Sequence, residues 1–374
     1  MSENISLKIG ILGTRGIPNR YGGFEQCAEY LAAGLVAKGH RVWVYNSHNH
    51  EYQGKEWNGV TIIHCYDPEH KIGTPGQFIY DLNCIYDARK RDYDVLLQLG
   101  YTSNSIWFRL WPGYCSNVVN MDGLEWKRSK YSRQTRKFLR LAEKWAAKTG
   151  DVLIADSTGI QQHLRDTYDK DSFFIPYGAE IFTAQQPDAI GRYGVQPFGY
   201  DMLISRMEPE NNIEMIIRGH VTSGTDKPLL VIGKTSNNFG TYLLQNYGNQ
   251  PNVLFLDAIY EAEIINNLRY YSRLYFHGHS VGGTNPSLLE AMGCNALIAA
   301  HDNTFNRAVL GEDAFYFSTE NELADMVRNF TSKPVYEQKL KNNIGKIRTQ
   351  YNWQKIVDDY EAVLQEASKR KRGL

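Results

Sequence analysis

Three segments hold the residues best suited to chemistry. GTRGIPNRYGGFE, residues 13–25, joins a strand-like apolar run to a helix-period segment. Gly13, Gly16, Gly22 and Gly23 let a backbone approach a ligand closely, and amides at the start of the following helix favour an anion. A plain strand-to-helix turn takes about 2–6 residues. This longer loop carries two arginines, which favours a binding role. SRMEPENNI, 205–213, puts Arg206 after the carboxyl end of a strand, where a guanidinium can hold a diphosphate bidentately. In HGHSVGGTNPSLLE, 277–290, Gly282 and Gly283 permit an anion-binding nest, and Pro286 and Ser287 suit a first helical turn. Leu288 and Leu289 fix the buried side of that helix, and Glu290 is left to accept hydrogen bonds from a ribose. His277 and His279 lack a further ligand at metal spacing, so they read as satisfied or loop histidines.

In NMDGLEW, 120–126, Asp122 falls at the end of another strand. It can act as a base or hold a substrate hydroxyl, or it can cap the next helix; both readings stay open. Glu125 and Trp126 follow, and the indole offers a flat face to a sugar. Residues 127–148 carry nine Lys/Arg against the single acid Glu143, a balance of +8. On a helical wheel Arg133, Arg136, Lys137, Arg140, Lys144 and Lys148 share one face. Tyr131, Phe138, Leu141, Ala142 and Trp145 lie toward the other. Such a helix suits an anionic membrane surface or acceptor, with an ordinary solvated face as the alternative. A second basic cluster, 369–372, reads as a solvated tail.

Other patterns are set aside. Gly10, Gly13 and Gly16 spell G-x-x-G-x-x-G, and Tyr86 with Lys90 forms Y-x-x-x-K, as in some nicotinamide-dependent oxidoreductases. Pro18 and the Gly22–Gly23 pair delay the helix, however, and no acid follows the second strand. Asp92/Asp94 and Asp169/Asp171 match a metal-binding D-x-D. The first pair enters its strand from the amino end and the second sits in a polar turn, so both read as solvated carboxylates. Five cysteines (Cys27, Cys65, Cys84, Cys115, Cys294) are scattered without zinc spacing and read as thiols in a reducing compartment.

The elements that must position these segments show in the hydrophobic pattern. Continuous apolar runs, as in parallel strands buried on both faces, occur at 8–13, 41–45, 60–66, 94–100, 117–122, 151–156 and 172–176. They resume at 201–205, 228–233, 252–257, 274–277, 296–300 and 314–317. A helix is expected at 24–38, with Gly39 at its C-terminal cap, and another from Trp353 to about Lys369. At about 100–200 residues per domain, 374 residues suggest two. The expected division is 1–185 and 200–350, a Pro/Gly-rich linker at 186–199 and a closing helix at 351–374. The fold class is α/β, with two doubly wound, Rossmann-like parallel sheets facing a cleft. With 42% hydrophobic and 22% charged residues, the composition is that of a soluble globular protein. Equal numbers of basic and acidic groups, 41 each, argue against a general polyanion binder such as a nucleic-acid protein. The first residues lack a signal-peptide layout, which predicts a cytoplasmic chain.

GTRGIPNRYGGFE, MDGLEWKR, RMEPENN and HGHSVGGTNPSLLEA together resemble the retaining family 4 glycosyltransferases of the GT-B fold, most nearly a bacterial rhamnosyltransferase-like subgroup. The likeness spans nearly the whole chain. It implies that the 13–23 loop borders donor phosphate and acceptor, that Arg206 holds the donor diphosphate, and that Glu290 binds the nucleotide ribose. Amides around Gly283, Thr284, Asn285, Ser287 and Leu288 would receive sugar and phosphate. It further implies metal independence, no cofactor, and a last helix crossing back to the first domain. The sequence departs from the family at three places. The first Glu of its E-x7-E motif is Gly282. The Lys that usually follows the phosphate-binding Arg aligns with Asn211, so Lys234 would supply the second cation. Met121 stands where many relatives have His. The expected activity is transfer of a sugar, favoured as L-rhamnose from dTDP-rhamnose, with retention. The expected acceptor is a lipid-diphosphate-linked saccharide in cell-surface polysaccharide synthesis, with peripheral attachment to the inner face of the plasma membrane. The rival readings are an NAD-dependent sugar-nucleotide oxidoreductase or epimerase, and a non-catalytic subunit of a polysaccharide-synthesis complex.

Overall fold

The computed structural model describes residues 6–20, 22–128 and 130–373. The start of the amino-terminal stretch (1–5) and Tyr21 of the glycine loop lie outside the described residues. The chain forms two compact units. Unit 1 comprises Met1–Trp126, Tyr131–Tyr177 and Trp353–Leu374, and unit 2 comprises Lys127–Lys130 and Gly178–Asn352. The stretch expected as a linker, 186–199, lies inside unit 2, where a short 3-10 helix, Pro187–Tyr193, buries Ile190.

Unit 1 is built on β1 (Lys8–Leu12), β2 (Arg41–Ser47), β3 (Glu56–Trp57), β4 (Val60–Cys65), β5 (Val95–Leu99), β6 (Ser116–Asn120), β7 (Val152–Ala155) and β8 (Phe173–Phe174). Their order is β3-β4-β2-β1-β5-β6-β7-β8. Every pairing is parallel except the β3/β4 hairpin, whose first strand is too short for the hydrophobic pattern to show. All five residues of β5 and of β6 are buried, as unbroken apolar runs require when helices cover both faces. The first helix, Gly23–Ala37, turns Cys27, Ala28, Leu31 and Leu35 inward and stops where Gly39 takes φ +90°. The last helix, Trp353–Arg372, belongs to this unit. Its Val357 sits where a side chain on Gly34 would clash, at 2.6 Å, and its Trp353 stacks on Tyr30 at 4.4 Å. Its Tyr360 hydroxyl accepts a hydrogen bond from Asn120 at 2.7 Å.

Unit 2 contains β9 (Asp201–Ile204), β10 (Leu229–Ile232), β11 (Val253–Leu256), β12 (Tyr275–His277), β13 (Ile298–His301) and β14 (Phe315–Phe317). The sheet is wholly parallel in the order β11-β10-β9-β12-β13-β14. Leu203, Val231, Phe276 and Ala299 from its central strands join one core with Ile213, Ile216 and Leu323 from covering helices. In both units the strand order reverses once, between β1 and β5 and between β9 and β12. Doubly wound sheets bind ligands at such switch points, outside the carboxyl ends of the strands.

Candidate active site

Two of the three segments leave the switch point of unit 2. Residues 205–212 follow β9 and residues 278–285 follow β12, and the two loops are stitched together. Asn212 Nδ2 donates to Gly278 O at 2.8 Å, while Ser280 donates its amide and hydroxyl to Glu210 O at 3.2 and 2.7 Å. Gly278 is required because a β-carbon there would lie 2.0 Å from Asn211 O. Asn211, expected in the place of a second cation, is buried and donates to Arg206 O at 2.8 Å. It shapes the loop that presents Arg206. Register pairs Ile232 with Ile204, so Arg206 and Lys234 each stand two residues past the ends of adjacent strands. Both cations are exposed, and neither makes a salt bridge among the described residues. Lys234 Nζ lies 5.6 Å from the Tyr260 ring centroid.

The helix Pro286–Gly293 carries Glu290. Asn285 caps it through its side chain, which accepts from the Ser287 amide at 2.9 Å, and the Ser287 hydroxyl pairs with Tyr275 at 2.8 Å. Leu288 is buried and its amide donates to Asn285 O at 3.0 Å. The Ser287 and Leu288 amides are thus engaged within the protein, and Thr284 is buried. Gly282 has φ +135°, a conformation in which a glutamate would be strained, with open space around it. Glu290 forms a salt bridge with Arg269, a buried residue of the helix Ala262–Tyr271 that sequence reasoning missed. His277 and His279 stack at 4.5 Å. Contrary to the expectation of satisfied side chains, both His277 ring nitrogens and His279 Nδ1 have no hydrogen-bond partner among the described residues. Burial, then the Arg206 and Arg128 cations, lower the His279 pKa to about 3, so the ring is neutral.

The glycine loop leaves the switch point of unit 1. Gly13 and Gly16 take φ +94° and +129°. A β-carbon would meet Leu99 O at 2.2 Å in the first case and the Asn46 carboxamide at 2.4 Å in the second. Asn46 bonds both the amide and the carbonyl of Ile17, and the Arg15 amide donates to Glu25. Arg15 itself pairs bidentately with Glu69 at 3.1 and 2.9 Å. These groups are engaged by the protein's own side chains. The helix opens only at Gly23, as a dinucleotide site does not, and Lys90 lies on the turn feeding the amino end of β5, the edge opposite the glycines.

Asp122 follows β6. Register pairs Asn120 with Ile154, which sets Asp122 level with Asp156 just beyond β7. Burial first, with both carboxylates adding, raises the Tyr177 hydroxyl well above its usual range. Asp156 was overlooked in the sequence, although its place two residues past Ile154 was the signal. Trp126 does not present an open face on both sides, because the Arg140 guanidinium lies 4.2 Å over its ring. Its indole Nε1 donates to Glu143 at 2.9 Å. Glu143, 2% exposed, also accepts from His163 Nε2 at 2.8 Å, Tyr168 at 2.7 Å and Tyr101 at 3.3 Å. Burial pushes its pKa up, but His163, Tyr168 and Trp126 together hold it below its usual value.

The helix Arg133–Thr149 exposes Arg133, Lys137, Arg140, Lys144 and Lys148, while Arg136 is half-buried. Leu141 departs from the expected apolar side and is 41% exposed, because it stands one turn from Lys137 and Lys144. Asp94 accepts from the Lys8 amide at 2.8 Å and pairs with Arg372, and Lys371 pairs with Asp151 at 3.3 Å. The basic tail therefore binds the amino edge of the sheet. Asp171 pairs with Arg165 at 2.9 Å.

A family described as a domain of unknown function, DUF1972, matches residues 114–180. No curated protein matches the sequence. Sucrose-phosphate synthase from Thermosynechococcus elongatus superposes with a TM-score of 0.76 at 16% identity, covering 96% of this chain and 98% of that one. HepE from Anabaena, solved in complex with UDP-glucose, gives 0.73 at 15%, covering 96% and 100%. Trehalose 6-phosphate synthase from Burkholderia multivorans gives 0.68 at 11%, covering 98% and 99%. The likeness establishes the GT-B fold for this chain.

Proposed function

We propose that the chain is a glycosyltransferase that takes a sugar from a nucleotide diphosphate donor. The observation that carries this is the pair Arg206 and Lys234, two exposed cations without salt bridges among the described residues, each two residues past the carboxyl end of the adjacent strands β9 and β10. Such a pair suits a diphosphate, and Glu290, on the helix that follows β12, suits a ribose diol. HepE, which shares the fold, is a UDP-glucose complex. The favoured donor is dTDP-L-rhamnose.

As the glycosidic bond to the donor breaks, negative charge grows on the leaving diphosphate. Arg206 and Lys234 stabilise that charge, the main electrostatic demand of the reaction. No metal is needed for this task, and chelation by EDTA should leave turnover unchanged. Configuration is retained by attack on the departing face, with a donor phosphate oxygen helping to take the acceptor proton. Asp122 orients that hydroxyl. The acceptor is a lipid-diphosphate saccharide. The row Arg133, Lys137, Arg140, Lys144 and Lys148, with Leu141 exposed among them, suits an anionic membrane surface on the cytoplasmic side.

A thermal-shift panel of nucleotide sugars, followed by transfer assays on lipid-linked acceptors, tests this. A rise in melting temperature with one donor, turnover with retention, and loss of turnover in Arg206→Ala and Glu290→Ala are expected. Near-wild-type turnover by both variants would sink the site assignment.

A further inference from the structure

Arg269 is 4% exposed, and a buried guanidinium is costly unless it is paired. Its one salt bridge among the described residues is to Glu290 Oε2, and its Nη1 donates to Asn266 Oδ1 at 2.9 Å. The two residues come from different helices, Ala262–Tyr271 and Pro286–Gly293. Glu290 thus has one oxygen tied to a buried cation, while its side chain stays 28% exposed. The site carries no other glutamate at the family's first position, because Gly282 stands there in a conformation suited to glycine.

We infer that Arg269 is a positioning residue for nucleoside diphosphate binding: its guanidinium fixes the Glu290 carboxylate for the ribose diol and cancels its charge beside the diphosphate. This rests on the nucleotide-sugar reading above. Left unpaired, the Glu290 carboxylate would add negative charge to the carboxyl end of the sheet that carries Arg206 and Lys234, and oppose a diphosphate there. Tied to Arg269, it stays in place as half of a neutral pair, so the site's net positive charge remains for the ligand.

The test is calorimetric binding of UDP and dTDP to the full chain, in a double-mutant cycle. Arg269→Met should weaken the better-bound nucleotide about tenfold or more in the wild-type background, yet change it less than about twofold when Glu290→Gln is already present. Arg269→Lys, which keeps the charge without the fork, should recover part of the loss. If Arg269→Met costs the same in both backgrounds, Arg269 acts independently of Glu290 and the inference is overturned. Unchanged binding in Arg269→Met overturns it as well. Should that variant fail to fold, Asn266→Ala, which loosens only the guanidinium, takes its place with a smaller loss expected and the same dependence on Glu290. If the wild-type chain binds neither nucleotide, the nucleotide-sugar reading falls and this inference with it.

Discussion

Removing the carboxylate of Glu143 tests the frame around Asp122. Four donors converge on it: Trp126 Nε1, His163 Nε2 and the hydroxyls of Tyr168 and Tyr101. In Glu143→Leu they lose their acceptor, and a stranded buried donor costs about 1–3 kcal/mol. Tyr101 keeps a second bond to Gly123 O at 3.0 Å, and the His163 side chain, 19% exposed, reaches water. The loss is therefore nearer two stranded donors than four, about 2–6 kcal/mol. For a unit of this size that is a fall in Tm on the order of 5–25 °C. Glu143→Gln should lose nearly as much, since its amide nitrogen would face two donors. The folded Glu143 pKa lies below its ordinary 4.5. Its stabilisation is thus present above pH 4.5 and is lost as pH falls through the folded value. The assay is urea unfolding followed by tryptophan fluorescence from pH 3 to 7. Glu143→Leu within about 0.5 kcal/mol of wild type, or an acid limb unchanged in Glu143→Gln, would refute the reasoning.

Arg206→Ala and Lys234→Ala should each weaken nucleoside diphosphate binding by about 10–100-fold with unchanged melting, the range expected of one charge-assisted contact; calorimetry checks this. Reversing Lys137, Lys144 and Lys148 to Glu should cut partition onto anionic vesicles by about 100-fold or more, at about 1 kcal/mol per basic residue, and leave neutral vesicles unaffected. Equal partition of the variant would remove the membrane role. Gly278→Ala places a β-carbon 2.0 Å from Asn211 O, so it should displace the Arg206 loop and lower both Tm and nucleotide affinity. An affinity within about twofold of wild type would contradict the stitching of the two loops.

The strands were legible because burial on both faces demands continuous apolar runs, and β5 and β6 are buried at every position. The loop of Arg206 and the helix of Glu290 were legible because the first follows a strand end and the second opens at Pro286. Arg269 was not: it lies in an ordinary helical stretch, and nothing local says that its partner is 21 residues away. Leu141 was misplaced because a wheel gives angles but not the width of the surface the helix packs on.

By itself the sequence determined two doubly wound sheets and the loops at their carboxyl ends, since periodicity and turn residues are local properties. Which groups remain available to a ligand was decided by tertiary structure. Arg15 looked as promising as Arg206, yet Glu69 neutralises it across 54 residues, and no described carboxylate does the same for Arg206. Asp122 and Asp156 stand level only because β6 and β7 pair in that register. Charge pairing and register depend on residues far apart in the chain, and only folding brings them together.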